Sequence, residues 1–153
     1  MDLPYNASSP PAHGAQTRIF CEAGPLDYLG LYPHVWIVKL MRLYTDIGVF
    51  EVDVAANPAI GLLGRRKLRR YEAMLLEFPF SDFWGVHTMG MNYPIDIVWL
   101  DKNNMIVDKT TLSAETPGVQ PDLPAVRVLE FNAGIAAIAG FNIGEHLTLS
   151  TTN

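Results

Sequence analysis

The stretch HTMGMNYPIDIVWLD, residues 87–101, carries the strongest structural signal in this chain. Pro94 excludes a helix at its centre and favours extended backbone for Tyr93. Residues 95–100 are then apolar except for one carboxylate, and most are β-branched or aromatic. Such a run predicts a buried strand with Asp96 inside it.

Strand signals on both sides place this run in a larger sheet. Asn residues in the turn at 101–104 tolerate left-handed backbone and predict a hairpin with a returning strand. The fold class predicted is α+β, mostly β: a compact, curled antiparallel sheet or barrel-like domain with two short helices. The other predicted strands are a hairpin at 36–54 and the runs 72–78, 105–110, 126–131 and 145–150; the helices are 58–63 and 133–139.

Composition favours one domain with a surface poor in charge. The 153 residues suffice to bury about two thirds of the unfolded chain's surface. Charged residues make up only 18% of the chain, against about 25% in ordinary globular domains. We therefore expect a partner to cover part of the surface. Cys21 is the single cysteine, which excludes an intramolecular disulfide.

The sequence shows no signal for export or membrane insertion. Its first residues lack the basic start and apolar core of a signal peptide. No apolar run reaches the roughly 18 residues that a membrane helix needs. These features fit the cytoplasm, or a particle assembled there, although the compartment itself is left open.

Residues 1–34 are predicted to form an extended N-terminal arm in front of a single β-rich domain at 35–153. Positions 6–11 are small, polar and proline-rich, which is typical of extended chain. Further along, apolar side chains are interleaved with Gly and Pro, and they need a surface to pack on, in this domain or in another chain. The candidate docking residues are Phe20, Leu26, Tyr28, Leu29, Leu31 and Tyr32.

A basic cluster interrupts an otherwise acidic chain. Five of the eleven basic residues lie at positions 65–70, while the net charge is −5. A solvated turn after a helix C-terminus explains part of the cluster; the alternative is contact with an anion or an acidic partner. Nucleic acid is not expected, because the cluster is short and its surroundings are acidic. The basic cluster comprises Arg65, Arg66, Lys67, Arg69 and Arg70.

Asp96 has two interpretations. A carboxylate inside a buried strand must be neutralised or hydrogen-bonded. It is either a structural acceptor, bonded to loop N–H groups or paired with Arg65, or an acid poised by burial for binding or catalysis. In the second case a small polar pocket would unite it with other polar residues, and the candidate ligand-binding set is His87, Asp96, Glu130 and Asn132. The ordinary alternative for the last two is an exposed strand face.

His87, Met89 and Met91 alternate, so on a strand they would share one face. A histidine with two thioethers is a ligand set for Cu(I). Methionines at this spacing are more often core residues, and we predict neither a metal nor a cofactor. Phosphate-binding loops and nucleophile elbows are also missing from the sequence, so we expect a non-enzymatic protein.

Several motifs occur together in an order that resembles the family called domain of unknown function 192. The resemblance covers about residues 48–150 and implies a compact, mostly β domain without implying an activity. One departure is Asp101-Lys102-Asn103-Asn104, where the family has Asp-Lys-Asp-Gly. The motifs are GLLGR at 61–65, AMLL at 73–76, VHTMGM at 86–91, PIDIVWLD at 94–101, VLEFNAG at 128–134 and GE at 144–145.

Two functions are predicted from these features. The first is a structural or interaction protein whose arm docks onto other subunits of an assembly, copies of itself or the subunits of a particle such as a virion. The second is a small-ligand-binding or weakly catalytic domain with a pocket around Asp96.

Overall fold

The computed structural model describes residues 39–152 and, before them, only the backbone of two short strands. In this part of the chain the strands β3 to β9 form one mixed sheet in the order β7-β6-β8-β5-β4-β3-β9, and β1 pairs with β2. The elements are β1 (Arg18–Phe20), β2 (Trp36–Val38), β3 (Leu40–Thr45), β4 (Gly48–Val54), β5 (Glu72–Asp82), β6 (Ile95–Leu100), β7 (Ile106–Leu112), β8 (Ala125–Asn132), α1 (Ile135–Ile138) and β9 (Thr148–Thr151).

The mostly β, α+β fold class is confirmed, but the sheet is not purely antiparallel. β4 and β5 pair in parallel, from Glu51 opposite Glu72 to Val54 opposite Leu75. A parallel pair needs a crossover connection, and residues 55–71 provide it. The sequence signals for turns and basic residues in that segment did not reveal this role.

Both predicted hairpins are confirmed. β3 and β4 pair in register around a two-residue turn at 46–47. β6 and β7 pair around residues 101–105, where Asn104 has a positive φ of 61°. The Asp101 carboxylate accepts hydrogen bonds from the backbone N–H groups of Asn103 and Met105, at 2.7 and 2.9 Å, and so closes the turn.

The predicted helix at 58–63 is wrong: this segment is a run of turns. Asn57 does cap its start, because its side chain accepts a hydrogen bond from the Ala59 N–H at 3.0 Å. Gly61 then adopts a left-handed φ of +51°, which a regular helix cannot contain. The second predicted helix exists as the short α1.

β5 also runs further than predicted, since Pro79 does not end it. The regular ladder with β8 nevertheless breaks between Glu77 and Asp82. A proline has no N–H to give to a ladder, so the pairing with β8 is interrupted there. Residues 79–82 are exposed.

The sheet buries side chains on both faces, which explains why all six residues of β6 are buried. Val98 and Leu100 point to one face, together with residues of α1, and we call this the α1 face. Ile95, Ile97 and Trp99 point to the other, beneath the connecting segments, and we call this the loop face. The strand alternation therefore assigns every polar residue of β6 and β8 to one face or the other.

The sheet is curled but not closed. After α1, the segment 144–147 hydrogen-bonds to the start of β7, with the Ile106 N–H donating to the Glu145 carbonyl at 2.8 Å. The chain then enters β9, which pairs with β3 at the other edge. One segment thus contacts both edges of the sheet.

The predicted N-terminal arm lies outside the described residues, apart from the backbone of β1 and β2. β1 and β2 pair antiparallel, with Ile19 opposite Ile37. Of the candidate docking residues, Phe20 belongs to β1. The other five, at 26, 28, 29, 31 and 32, stay predictions.

Candidate functional site

Asp96 lies on the α1 face of β6 and is 2% exposed. Both carboxylate oxygens accept hydrogen bonds, from Thr111 Oγ1 at 2.6 Å and from the Ala136 N–H at 2.8 Å. Thr111 faces it across the β6–β7 ladder, and Ala136 lies in the first turn of α1. The carboxylate therefore ties α1 to the edge of the sheet. These contacts favour the structural interpretation, although not the predicted pairing with Arg65.

A small hollow of about 180 Å³ opens beside Asp96, lined also by Lys109, Thr111 and the start of α1. The Lys109 ammonium donates a hydrogen bond to the Phe141 carbonyl at 2.6 Å. Sites for drug-sized ligands measure about 300–1,000 Å³. The hollow therefore accommodates only a small polar molecule, and its carboxylate is already engaged.

Glu130 lies on the loop face of β8, paired with Ile97, and is 3% exposed. Burial raises the pKa of its carboxyl to about 7, and the backbone N–H of Leu62 opposes this by hydrogen bonding to it. Among the described residues, the oxygen Oε2 has no hydrogen-bond partner. Directly above, Gly61 leaves open a position where a Cβ would lie 3.0 Å from Oε2 and 3.1 Å from Oε1.

Asn132 and Tyr93 hold the same connecting segment to the sheet. The side-chain amide of Asn132 donates to the Leu68 carbonyl at 2.7 Å, while its buried oxygen Oδ1 has no partner. The Tyr93 hydroxyl donates to the Arg65 carbonyl at 3.2 Å. Burial, and then the neighbouring charge of Glu130, raise the pKa of Tyr93. Three side chains of the scaffold thus hold the backbone of residues 62–68.

The four predicted ligand-binding residues do not share one pocket. Asp96 is paired with Phe131, whereas Glu130 and Asn132 are paired with Ile97 and Ile95. Directly paired residues point to the same face of a sheet, so the sheet separates Asp96 from the other two. This separation follows from the register between β6 and β8, which the sequence does not display.

His87 is exposed and is not in a strand. Met89 is 47% exposed and Met91 is 5% exposed, so these three residues do not share a face as the alternation predicted. Thr88 of this segment is a fully buried polar residue, at 0% exposed, which sequence reasoning missed. Its hydroxyl donates to the Ser113 carbonyl at 2.5 Å and accepts from the Thr116 N–H at 2.9 Å.

The basic cluster is largely compensated by acidic neighbours. Arg66 forms two hydrogen bonds with the Glu72 carboxylate, at 3.0 and 3.1 Å, and the Arg69 N–H donates to the same group at 2.8 Å. Burial raises the pKa of Glu72, but the bonds from Arg66 and Arg69 outweigh it and leave the pKa lowered. Arg65 lies 3.7 Å from Asp53, and Arg70 stacks 5.4 Å from the centre of the Tyr71 ring. Lys67 is exposed.

An aromatic surface at the end of β5 was not foreseen. Phe78 and Trp84 stack at 4.5 Å with their planes 9° apart, and Phe80 lies 5.1 Å from Trp84. Phe80 and Phe83 remain 56% and 44% exposed. The signal available in the sequence was FPFSDFW at 78–84, where Pro79 breaks a ladder among four aromatic residues. We call Phe78, Phe80, Phe83 and Trp84 the aromatic ledge.

The described residues contain neither a candidate metal site nor a candidate membrane-spanning helix. No three His, Cys, Asp or Glu side chains of this part of the chain come together as a metal site. In the same residues, no helix has the length and apolarity to cross a membrane.

Two solved structures share this fold. A protein of Sinorhizobium meliloti 1021, described as a candidate transcription regulator, is 22% identical over 76% of this chain and 95% of its own, with a TM-score of 0.64. A protein of unknown function from Novosphingobium aromaticivorans DSM 12444 is 21% identical over 74% of this chain and 84% of its own, with a TM-score of 0.62. At these identities the likeness establishes the fold alone.

None of the curated proteins compared matches the chain. The model of one protein family, domain of unknown function 192 with the description "Uncharacterized ACR", matches residues 42–149. That match spans most of the chain. It includes the whole seven-stranded sheet except the first two residues of β3 and the last two residues of β9. The chain therefore belongs to the DUF192 family.

Proposed function

We propose that this protein is a non-enzymatic interaction module that assembles with other copies of itself. The observation that carries the proposal is the aromatic ledge, where Phe80 and Phe83 are 56% and 44% exposed. Aromatic side chains are the commonest energetic anchors of protein interfaces. Exposing two of them within four residues of chain is unfavourable for an isolated molecule.

The aromatic ledge is held rigidly by the core. The indole N–H of Trp99, a fully buried residue of β6, donates to the Trp84 carbonyl at 2.8 Å. The indole N–H of Trp84 in turn donates to the Phe80 carbonyl at 2.9 Å. Because these bonds fix the Trp84 ring and the backbone at Phe80 before any partner arrives, less conformational entropy is lost on docking.

The occupant we infer is the N-terminal segment of a second copy. Its sequence supplies complementary apolar side chains, among them Leu26, Leu29 and Leu31, interrupted by Gly and Pro. An irregular apolar segment of this kind suits a groove or a sheet edge of a neighbouring molecule. A repeated contact between arm and ledge would build a larger assembly, of which a virion is one kind.

Replacing exposed ledge residues tests this proposal. Phe80→Ser with Phe83→Ser should convert the full chain from an assembly to a monomer, measured by light scattering coupled to size-exclusion chromatography. Ile138→Ser is the matched control, because Ile138 is a similarly exposed apolar residue, at 61%, and lies in α1 on the other face of the sheet. A wild-type chain that is monomeric at every accessible concentration would refute the proposal.

The second candidate function is binding of a small polar molecule beside Asp96, and the hollow of about 180 Å³ favours it. Asp96 and Lys109 would present opposite charges to such a ligand. Replacing Ala137, an exposed residue of α1 that lines the hollow, with Phe should abolish binding of small zwitterions in calorimetry without unfolding the protein. Equal heats for wild type and variant would remove this candidate.

A further inference from the structure

The loop face holds two buried acceptor atoms that no group of the described chain satisfies. They are Oε2 of Glu130 and Oδ1 of Asn132. Buried polar atoms in native proteins are almost always hydrogen-bonded, so each exception requires an explanation. Both atoms belong to the same strand, two residues apart, and therefore point to the same face.

Two side chains on the same face of a strand, two residues apart, are within reach of a single small guest. Residues two apart in a strand are separated by about 6.7 Å. A guest as small as one nitrogen or oxygen atom with its hydrogens can donate to both acceptors when they lie up to about 5.6 Å apart. That distance is the sum of two hydrogen bonds of about 2.8 Å. When Glu130 is ionised both atoms are acceptors, so a guest of that form must carry at least two donors.

A charge on the guest follows from the environment of Glu130. The Leu62 N–H is the one group that stabilises its ionised form, and burial disfavours that form. The nearest arginines are engaged elsewhere, Arg65 with Asp53 and Arg66 with Glu72. An ionised Glu130 is thus a buried anion without a counter-ion, which a cationic donor would supply.

The number of available oxygens distinguishes between kinds of cation. Calcium and magnesium take six or more oxygen ligands in a fixed shell, and the site offers two unpartnered ones. An ammonium group needs only acceptors for its N–H donors, and charge-assisted bonds of this type are about twice as strong as neutral ones. Two acceptors and one negative charge therefore match an ammonium head.

Access to the site is through Gly61. The connecting segment covers Glu130 with a residue that has no side chain and a left-handed φ of +51°. Gly61 itself is half-buried, and of its two neighbours Ile60 is 53% exposed while Leu62 is 1% exposed. The backbone at Gly61 therefore lies between the carboxyl and solvent. Since residues 58–64 are turns rather than helix, a small displacement would admit a guest.

We propose that Glu130 and Asn132 form a buried site for an ammonium group beneath Gly61, taking free ammonium or the head of a small primary amine. This site is independent of the aromatic ledge and of the proposed assembly. Its occupation supplies donors to both unpartnered oxygens and a counter-ion to the carboxylate. It also links the stability of the connecting segment to a ligand.

Thermal unfolding of the full chain at pH 8 tests the site, with ammonium chloride compared with potassium chloride at equal ionic strength. Ammonium should raise the melting temperature in a saturable way, by about 4 °C when the site is filled. Methylammonium, which has three N–H donors, distinguishes a small primary amine from free ammonium as the preferred guest. Tetramethylammonium, which has none, should behave like potassium.

The variant Glu130→Gln should remove the ammonium effect, because it keeps the shape of the side chain and loses its charge. A variant that folds poorly would not decide the matter, so a direct measurement accompanies it. In wild type, nuclear Overhauser contacts should connect the protons of ¹⁵N-labelled ammonium with the amide protons of Gly61 and Leu62. Equal melting temperatures in ammonium and potassium, or an ammonium effect that survives Glu130→Gln, would overturn the proposal.

Discussion

Asp96 and Glu130 are both buried carboxylates in adjacent central strands, yet they have opposite environments. Asp96 is 2% exposed and its two oxygens accept hydrogen bonds from Thr111 and Ala136. Glu130 is 3% exposed, and one of its oxygens has no partner. The two side chains point to opposite faces of the same sheet, so neither can compensate the other.

The difference shows that burial alone does not distinguish a structural acid from a functional one. What separates them is the supply of donors: the α1 face provides a hydroxyl and a helix N–H, while the loop face provides the single N–H of Leu62. A satisfied carboxylate stabilises the fold in its ionised form. An unsatisfied one favours its protonated form, and so responds to pH and to ligands.

Asp96→Ala should have the largest effect of any single change considered. It removes the acceptor for two charge-assisted hydrogen bonds and leaves the Ala136 N–H buried without a partner, at a cost of about 3 kcal/mol in the free energy of unfolding. Urea denaturation measures this loss. Thr111→Val removes only one of the two bonds and should cost about 1.5 kcal/mol. A loss below that of Thr111→Val would mean that Asp96 does not support the fold.

Glu130 should make stability fall as pH rises. Its folded pKa of about 7 lies above the ordinary value of 4.5 that applies to the unfolded chain, so the folded state binds the additional proton between these values. Its contribution is fully present below about pH 4.5 and is lost as the pH passes about 7, a change of about 3 kcal/mol. Denaturation in amine-free buffer across this range measures it.

The control for this pH dependence is Glu130→Gln, which has no proton to lose. Its stability should stay level between pH 4.5 and 7 as far as this site is concerned, and above pH 7 it should exceed that of wild type. If wild type and variant show the same slope, Glu130 ionises normally in the folded state. The contrast with Asp96 would then be one of hydrogen bonding alone.

Gly61→Ala should destabilise more than Gly64→Ala, although both glycines have a positive φ. A Cβ at Gly61 would meet both oxygens of Glu130 at 3.0–3.1 Å, whereas one at Gly64 meets nothing within 4 Å. Left-handed backbone costs an alanine about 1 kcal/mol at either position, and the contact with Glu130 should add about 1 kcal/mol more at Gly61. Chemical denaturation of the two variants gives the difference.

A double-mutant cycle assigns that excess to the carboxyl. In a Glu130→Ala background the contact is gone, so Gly61→Ala and Gly64→Ala should cost the same. An excess that persists there would arise from the local backbone of the turns instead. It would also weaken the view that Gly61 is the thin cover of the site.

The sequence predicted the strands well because their signals are local. The apolar run of β6 and the turn residues at 101–104 each act within a few residues of chain. The helix at 58–63 failed because Asn57 and Pro58 do favour a helix start, but Gly61 lies left-handed over Glu130, a contact 69 positions away in the chain. Tertiary packing overrode a local preference.

The candidate site was only half predictable for the same physical reason. Asp96 and Glu130 could be recognised as acids within apolar strands. Their separation depends on the register of β6 against β8, which pairs Asp96 with Phe131, and a shift by one residue would have placed both on one face. The unpartnered state of Glu130 depends in turn on which loop covers it. The turn and basic residues of the crossover at 55–71 do not indicate that this segment covers Glu130.

The smallest effect is expected at Glu72, an acid that is paired at the surface rather than buried. Arg66→Ala removes its two hydrogen bonds to Glu72, but the Arg66 side chain is 60% exposed, and exposed pairs contribute about 0.2–1 kcal/mol. The loss should therefore be about 0.5 kcal/mol at low salt and should shrink further as salt screens the pair. Lys67→Ala, a change of equal charge at an exposed neighbour, is the control. A larger loss for Lys67→Ala would mean that the basic cluster is organised by contacts other than Glu72, and Arg66 would then be free to bind an acidic partner.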